Sequence, residues 1–238
     1  GTTEVPAAEG IRTTLRLGDS ALIVGEVRSS EAKALYEAMR VGAASNLVAG
    51  TIHADSPYGI YDRVVNDLGV PKTSFKATDL AIVANPVRSA DGLHRWRRVT
   101  QITEVRKFWT EDPVKEGGFV DLMKYDSVKD ELLPSNDLLN GDSDILKDIA
   151  GNVKDWAGNW DAVWDNIQLR AKIKQRMVEF SEQAQRPELI EAKFVILGND
   201  EFHKISDAVR DEVGSLDSKE IYFRWNDWLR KAAKKYND

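Results

Sequence analysis

The chain has 238 residues, 42% hydrophobic and 30% charged, which is the make-up of a soluble globular protein large enough for one big or two small domains. Its zero cysteines exclude disulfides and thiolate metal sites and fit a reducing cytosol, and no apolar run approaches the ~20 residues of a membrane-spanning helix. A formal net charge of −6 argues against general nucleic-acid binding. Gly1 in place of methionine is read as a trimmed or processed start.

Residues 1 to 10 read as a loose leader, because Pro6 and Gly10 interrupt any sustained period. Ile11 to Leu17 suits a short helix carrying Arg12 and Arg16, and Gly18-Asp19-Ser20 a turn. Ala21 to Val24 is continuously apolar, the pattern of a strand buried on both faces, and Gly25 ends it and permits close backbone approach to a ligand. Glu26 then stands at the carboxyl end of that strand, the edge where open α/β sheets bind ligands. An ordinary strand ending in a surface acid has the same sequence.

Ser29 or Ser30 caps the next helix, with Glu31 in its first turn. Ala32, Leu35, Tyr36 and Met39 form its apolar face, and Gly42 stops it. Leu47 to Ile52 is a second buried strand with His53 at its tip, so strand, helix and strand imply a right-handed parallel crossover. Ser56 and Pro57 start another helix, with Ile60, Tyr61, Val64, Val65 and Leu68 inward and Gly69 as its end. Phe75 falls in a short helix or turn. Leu80 to Ala84 is a third strand closed by Asn85-Pro86, and the turn Ser89 to Gly92 leads into a long strand, Leu93 to Phe108, paired with Phe119 to Tyr125 as an antiparallel hairpin.

From about Leu132 the composition changes, with Pro134, Ser135 and Asn136 as a linker. The expected domains are therefore 1 to 131 and 132 to 238, the second mostly helical. Its helices are expected at Ile145 to Val153, Trp160 to Gln183, Phe202 to Val213 and Lys219 to Tyr236. Ala192 to Leu197 suits a strand or a buried helix. Trp156, Trp160 and Trp164 are spaced as one-turn neighbours, for a core or for docking a partner. Arg95, Arg97, Arg98, Arg106 and Lys107 gather positive charge on one hairpin, which a solvated strand face also explains. His94 and His203 have no metal-ligand partner in the pattern.

Gly25-Glu26-Val27-Arg28, the helical segment Glu31 to Gly42 and Thr51-Ile52-His53-Ala54 together resemble the secretion-superfamily ATPases, the motors of type II and type IV secretion, type IV pili and the archaeal archaellum, with the archaeal branch most similar. The likeness spans roughly residues 11 to 108. GEVR matches the family's Walker B box and TIHA its histidine box. The resemblance implies an α/β fold: a partial RecA-like P-loop NTPase core with a parallel sheet and antiparallel additions, then a mostly helical C-terminal subdomain. It implies ATP and Mg²⁺ as cofactors. Glu26 and His53 are then the catalytic residues, the Glu26 carboxylate orienting the attacking water or holding the Mg²⁺ shell through water, with Gly25 beside it at the nucleotide and no direct metal ligand. His53 senses the γ-phosphate, and Arg28 and Arg16 are phosphate-sensing candidates; a salt bridge and a solvated surface arginine are their respective alternatives. The partners implied are further copies in a ring, commonly hexameric, and a membrane platform protein, at the cytoplasmic face of the membrane and without nucleic acid.

Two departures stand out. Gly42-Ala43 replaces the family's frequent Gly-His pair, and no GxxxxGK[ST] loop occurs anywhere in the sequence. The chain is therefore expected to be the second half of a motor, whether trimmed, from a split gene or from a broken one. Its missing Walker A half is then a partner, and alone it binds ATP weakly or not at all. The alternative function is a non-catalytic assembly module derived from such a motor. A hydrolase built on Glu26 and His53 alone lacks a nucleophile motif or metal triad.

Overall fold

A computed structural model describes residues 4–15, 21–40 and 47–236. The chain is mixed α/β and divides into two compact units, Gly1–Ile145 and Leu146–Asp238. Among the described residues no helix is long and apolar enough to cross a membrane.

The first unit begins with α1 (Ala7–Leu15), so the expected leader is helical from Ala7, and Ile11 is buried. Strand β1 (Leu22–Val24), helix α2 (Glu31–Arg40) and strand β2 (Val48–Gly50) follow, and β1 and β2 pair in parallel with Val24 opposite Gly50. A Cβ on Gly50 would lie 3.1 Å from Leu35 Cδ2 and 3.2 Å from Val27 Cγ2, so α2 and the chain after β1 close tightly over this residue. One expectation fails here. β1 is not buried on both faces: Leu22 and Val24 pack on the core, but Ile23 is 71% exposed. Two strands do not supply enough neighbours to cover the second face.

Helix α3 (Pro57–Asp62) starts where expected, with Ser56 Oγ accepting from Gly59 N at 3.0 Å, and widens into a π-type turn at Arg63–Asp67. Short helix α4 (Lys72–Phe75) brings Phe75 into an aromatic cluster. Tyr61 meets Phe75 and Trp109 edge-on, with centroids 5.1 and 5.6 Å apart. Tyr36, Val64, Val70 and Val105 complete this core with the inner face of α2.

Strands β3 (Leu80–Arg88), β4 (Arg95–Val105), β5 (Phe119–Asp126) and β6 (Glu131–Pro134) form an antiparallel sheet in that order. The β4–β5 hairpin matches the sequence reading, but β3 differs from it. It runs through Asn85-Pro86 to Arg88 and belongs to this sheet, not to the parallel pair. Proline is tolerated because β3 is an edge strand. The expected linker also dissolves. Leu132–Pro134 is ladder, with Pro134 opposite Met123, and short helices α5 (Asn136–Leu139) and α6 (Asp144–Gly151) follow. The compact units part between Ile145 and Leu146, beyond the composition change near Leu132.

The second unit contains α7 (Trp160–Ala184), a 3-10 turn (Pro187–Ile190), α8 (Ala192–Val213) and α9 (Ser218–Lys235). Ala192 to Leu197 is the first part of α8, which therefore begins ten residues before the expected Phe202; Phe194, Gly198, Phe202 and Val209 are its buried edge. Asn159 and Asp217 cap α7 and α9 by accepting from backbone N–H groups of their first turns. Trp225 is fully buried and donates from Nε1 to Gly198 O at 2.9 Å. Trp160 and Trp164 stack on α7 with centroids 6.3 Å apart, whereas Trp156 lies in the turns before that helix.

Candidate functional site

The ladder between β1 and β2 continues past both strands. Thr51 N donates to Val24 O at 3.3 Å, Val27 N donates to Thr51 O at 2.8 Å, and the Thr51 hydroxyl donates to Gly25 O. This holds residues 25–27 beside residues 51–53. Val27 is buried and Ile52 half-buried against the core, so alternation turns Glu26 and His53 outward at the same end of the pair.

There the two side chains meet. His53 Nε2 lies 3.1 Å from Glu26 Oε1, and the Arg28 guanidinium binds the other carboxylate oxygen, Oε2. Glu26 is the more sheltered member, its side chain 28% exposed against 71% for Arg28 and 82% for His53. The hydrogen bond from Arg28 holds the Glu26 carboxyl below the usual carboxylate range, partly opposed by burial, with the neighbouring His53 acting in the same direction as Arg28. Near neutral pH Glu26 is an anion able to accept hydrogen bonds.

Residues outside the two motifs set this geometry. Glu31 accepts from Arg28 N at 2.7 Å and Ser29 N at 3.1 Å, and from the Ser29 hydroxyl at 2.6 Å. The start of α2 is therefore closed by Glu31 reaching back, with the serine as donor to it, which inverts the capping expected of Ser29 or Ser30. These bonds pull the Glu31 carboxyl down to about 2. On the other side, Asn85 Nδ2 donates to Asp55 O at 3.1 Å and fastens the loop after His53 to β3. The acid in the first turn of α2 was a readable signal for Glu31; nothing in the sequence announces Asn85.

Gly25 is not required by the protein's own packing. No atom lies within 4 Å of where its Cβ would be, and its backbone is outside the left-handed region. Arg16 lies outside the described residues, as do Gly42 and Ala43. Among the described residues no group of three His, Asp or Glu side chains is arranged to hold a metal ion. The site is an open strand-end surface. A groove of about 480 Å³ in the same unit, lined by Lys33, Arg40 and Ser74 among others, includes none of Glu26, Arg28 and His53.

No family model matches the chain. It is similar to an uncharacterized protein of Methanocaldococcus jannaschii, 32% identical over 106 residues, an alignment covering 44% of this chain and 37% of that protein. That likeness carries no activity over to this chain.

Proposed function

We propose that this chain is the C-terminal portion of a RecA-like secretion-superfamily motor ATPase, which couples ATP hydrolysis to secretion or to pilus or archaellum assembly. The observation that carries the reading is the 3.1 Å contact between Glu26 Oε1 and His53 Nε2, made where two parallel neighbouring strands end. An acid and a histidine from two separate sequence motifs converge on the edge where α/β sheets bind ligands.

ATP, when bound, supplies the phosphoanhydride to be cleaved. The chain's own contribution is an ionised Glu26 to accept a hydrogen bond from the attacking water, with an exposed Arg28 and an exposed His53 available as donors to phosphate oxygens. These residues fit the γ-phosphate end of a nucleotide. The cradle of backbone amides with its lysine is not among them, because the P-loop motif occurs nowhere in the sequence. In this reading a Walker A segment is a required partner, further copies complete a ring, and a membrane platform protein receives the work.

The missing P-loop favours one second reading, a non-catalytic assembly module derived from such a motor. Calorimetric titration with Mg²⁺-ATP separates the two. It is run on this chain alone and on the chain joined to a polypeptide that carries its Walker A segment. The motor reading expects binding only in the joined protein, with Glu26→Gln keeping binding and abolishing turnover. Failure of the joined protein to bind overturns the motor reading and leaves the assembly module.

A further inference from the structure

The β3–β4 ribbon exposes one face from its hairpin tip down to its base, where Ile82 lies opposite the half-buried Ile102 and Leu80 opposite the buried Glu104. Leu80, Ile82, Ala84, Pro86 and Arg88 alternate onto it from β3, and all five are exposed. Arg95, Arg97 and Val99 join them from β4, also exposed, because the ladder sets Arg88 opposite Arg95, Pro86 opposite Arg97 and Ala84 opposite Val99. The face is thus cationic at the hairpin tip and aliphatic along its base, with Ile82 62% exposed.

The three arginines at the tip have no ion-pair partner among the described residues, whereas Arg98, which points to the opposite face, is held by Asp130 at 2.8 Å. The nearby acid is already engaged: Asp91 accepts from Leu93 N at 2.9 Å and from the Ser89 hydroxyl. Like charges directly opposite each other destabilise a strand pair, so Arg88 and Arg95 carry a cost that an external anion would relieve.

We infer that this face docks a protein segment of another polypeptide that carries several carboxylates next to a short aliphatic stretch. Charge and shape both select that class. A single-stranded nucleic acid requires an aromatic platform beside its cations, but Trp96 alternates onto the other face, opposite Val87 and stacked with His94. What adjoins the three guanidiniums is Pro86, Ala84, Val99 and Ile82. β3 spans nine residues, so at about 3.3 Å per residue the face accommodates roughly eight extended residues of a partner. The inference is independent of the Glu26 site.

The test is fluorescence anisotropy on the full chain with a labelled peptide of about ten residues, glutamates in its first half and leucine and valine in its second. An oligothymidine of similar length is the competitor class, and sedimentation of the chain alone is run alongside. Binding is expected for the peptide, weakened by salt. It should fall on the order of tenfold when Arg88→Ser, Arg95→Ser and Arg97→Ser are combined. Ile82→Ser should weaken it separately, and Val128→Ser, on an exposed turn of the same sheet, should leave it unchanged. Circular dichroism checks that each variant is folded. The inference is overturned if the peptide does not bind, if the triple variant binds it equally well, or if oligothymidine binds as tightly. It is also overturned if the chain self-associates through this face and the peptide does not displace the copy.

Discussion

His53 Nε2 stands 3.1 Å from Glu26 Oε1, while Arg28 occupies the second oxygen of the same carboxylate. The acid is therefore gripped from both sides by groups that are themselves open to solvent, and Arg28 dominates its titration. Replacing Arg28 with Gln should move the Glu26 midpoint upward, towards the ordinary carboxylate value, with His53→Gln shifting it less. Carboxyl-carbon NMR through an acid titration reads both. A larger effect from His53→Gln would reverse the assigned order of the two contacts.

Glu31 offers a pH prediction with a definite sign. Its carboxyl is lowered from 4.5 to about 2 by hydrogen bonds that exist only in the folded chain. A depressed folded value means that the stabilisation is fully present above pH 4.5 and is lost as the pH falls through about 2. Glu31→Gln should cost about 1 kcal/mol at neutral pH, the usual scale for a lost helix cap, and should flatten the acid limb of the stability curve. Urea midpoints measured between neutral pH and about pH 3 check this. An unchanged acid limb in the variant would assign that limb to other carboxylates.

A buried ionic knot holds the end of the first unit. Glu104 is 1% exposed; it accepts from Ser143 Oγ at 2.5 Å and Asp144 N at 2.9 Å, and Arg106 Nε lies 2.7 Å from Oε1. That Nε–H finds no hydrogen-bond acceptor, so its contact with the carboxylate is ionic in character. Removing one member of such a pair strands the other charge and also leaves the first N–H groups of α6 without an acceptor. Glu104→Ala should destabilise the protein by about 3 kcal/mol in urea unfolding. Replacing exposed Glu111, whose partner is the partly exposed Lys72, should cost well under about 1 kcal/mol.

Two glycines make a contrast. A Cβ on Gly118 would fall 2.3 Å from Cδ1 of Trp109, which is fully buried and donates from Nε1 to Arg106 O at 2.7 Å. Gly118→Ala must displace that ring and should cost about 3 kcal/mol, at the upper end for overpacking. Gly25→Ala meets no atom within 4 Å and should leave the unfolding midpoint where it is. Trp fluorescence during thermal unfolding follows both. If Gly25→Ala destabilises the isolated chain, a backbone role for that glycine in the fold must be added.

Much of the local structure was legible in the residues themselves. The apolar spacing of Ala32, Leu35, Tyr36 and Met39 specified α2, Ser56-Pro57 specified where α3 starts, and the Ser89 to Gly92 turn specified the bend between β3 and β4. Those signals act within a few residues, through periodicity, capping and turn chemistry, so the sequence by itself determined them. Tertiary structure alone decided how far the elements extend and which of them pair. Ala192 to Leu197 became helix because Phe194 and Gly198 face the α7–α9 core, while Leu132–Pro134 became strand because β5 supplied a partner. The Glu26–His53 contact belongs to the same class. Each residue was marked by its own motif, but their separation depends on the parallel register of β1 with β2, the turn closed by Glu31 and the loop held by Asn85. Interactions between residues distant in the chain leave no period to read, and only the folded backbone brings them within 3.1 Å.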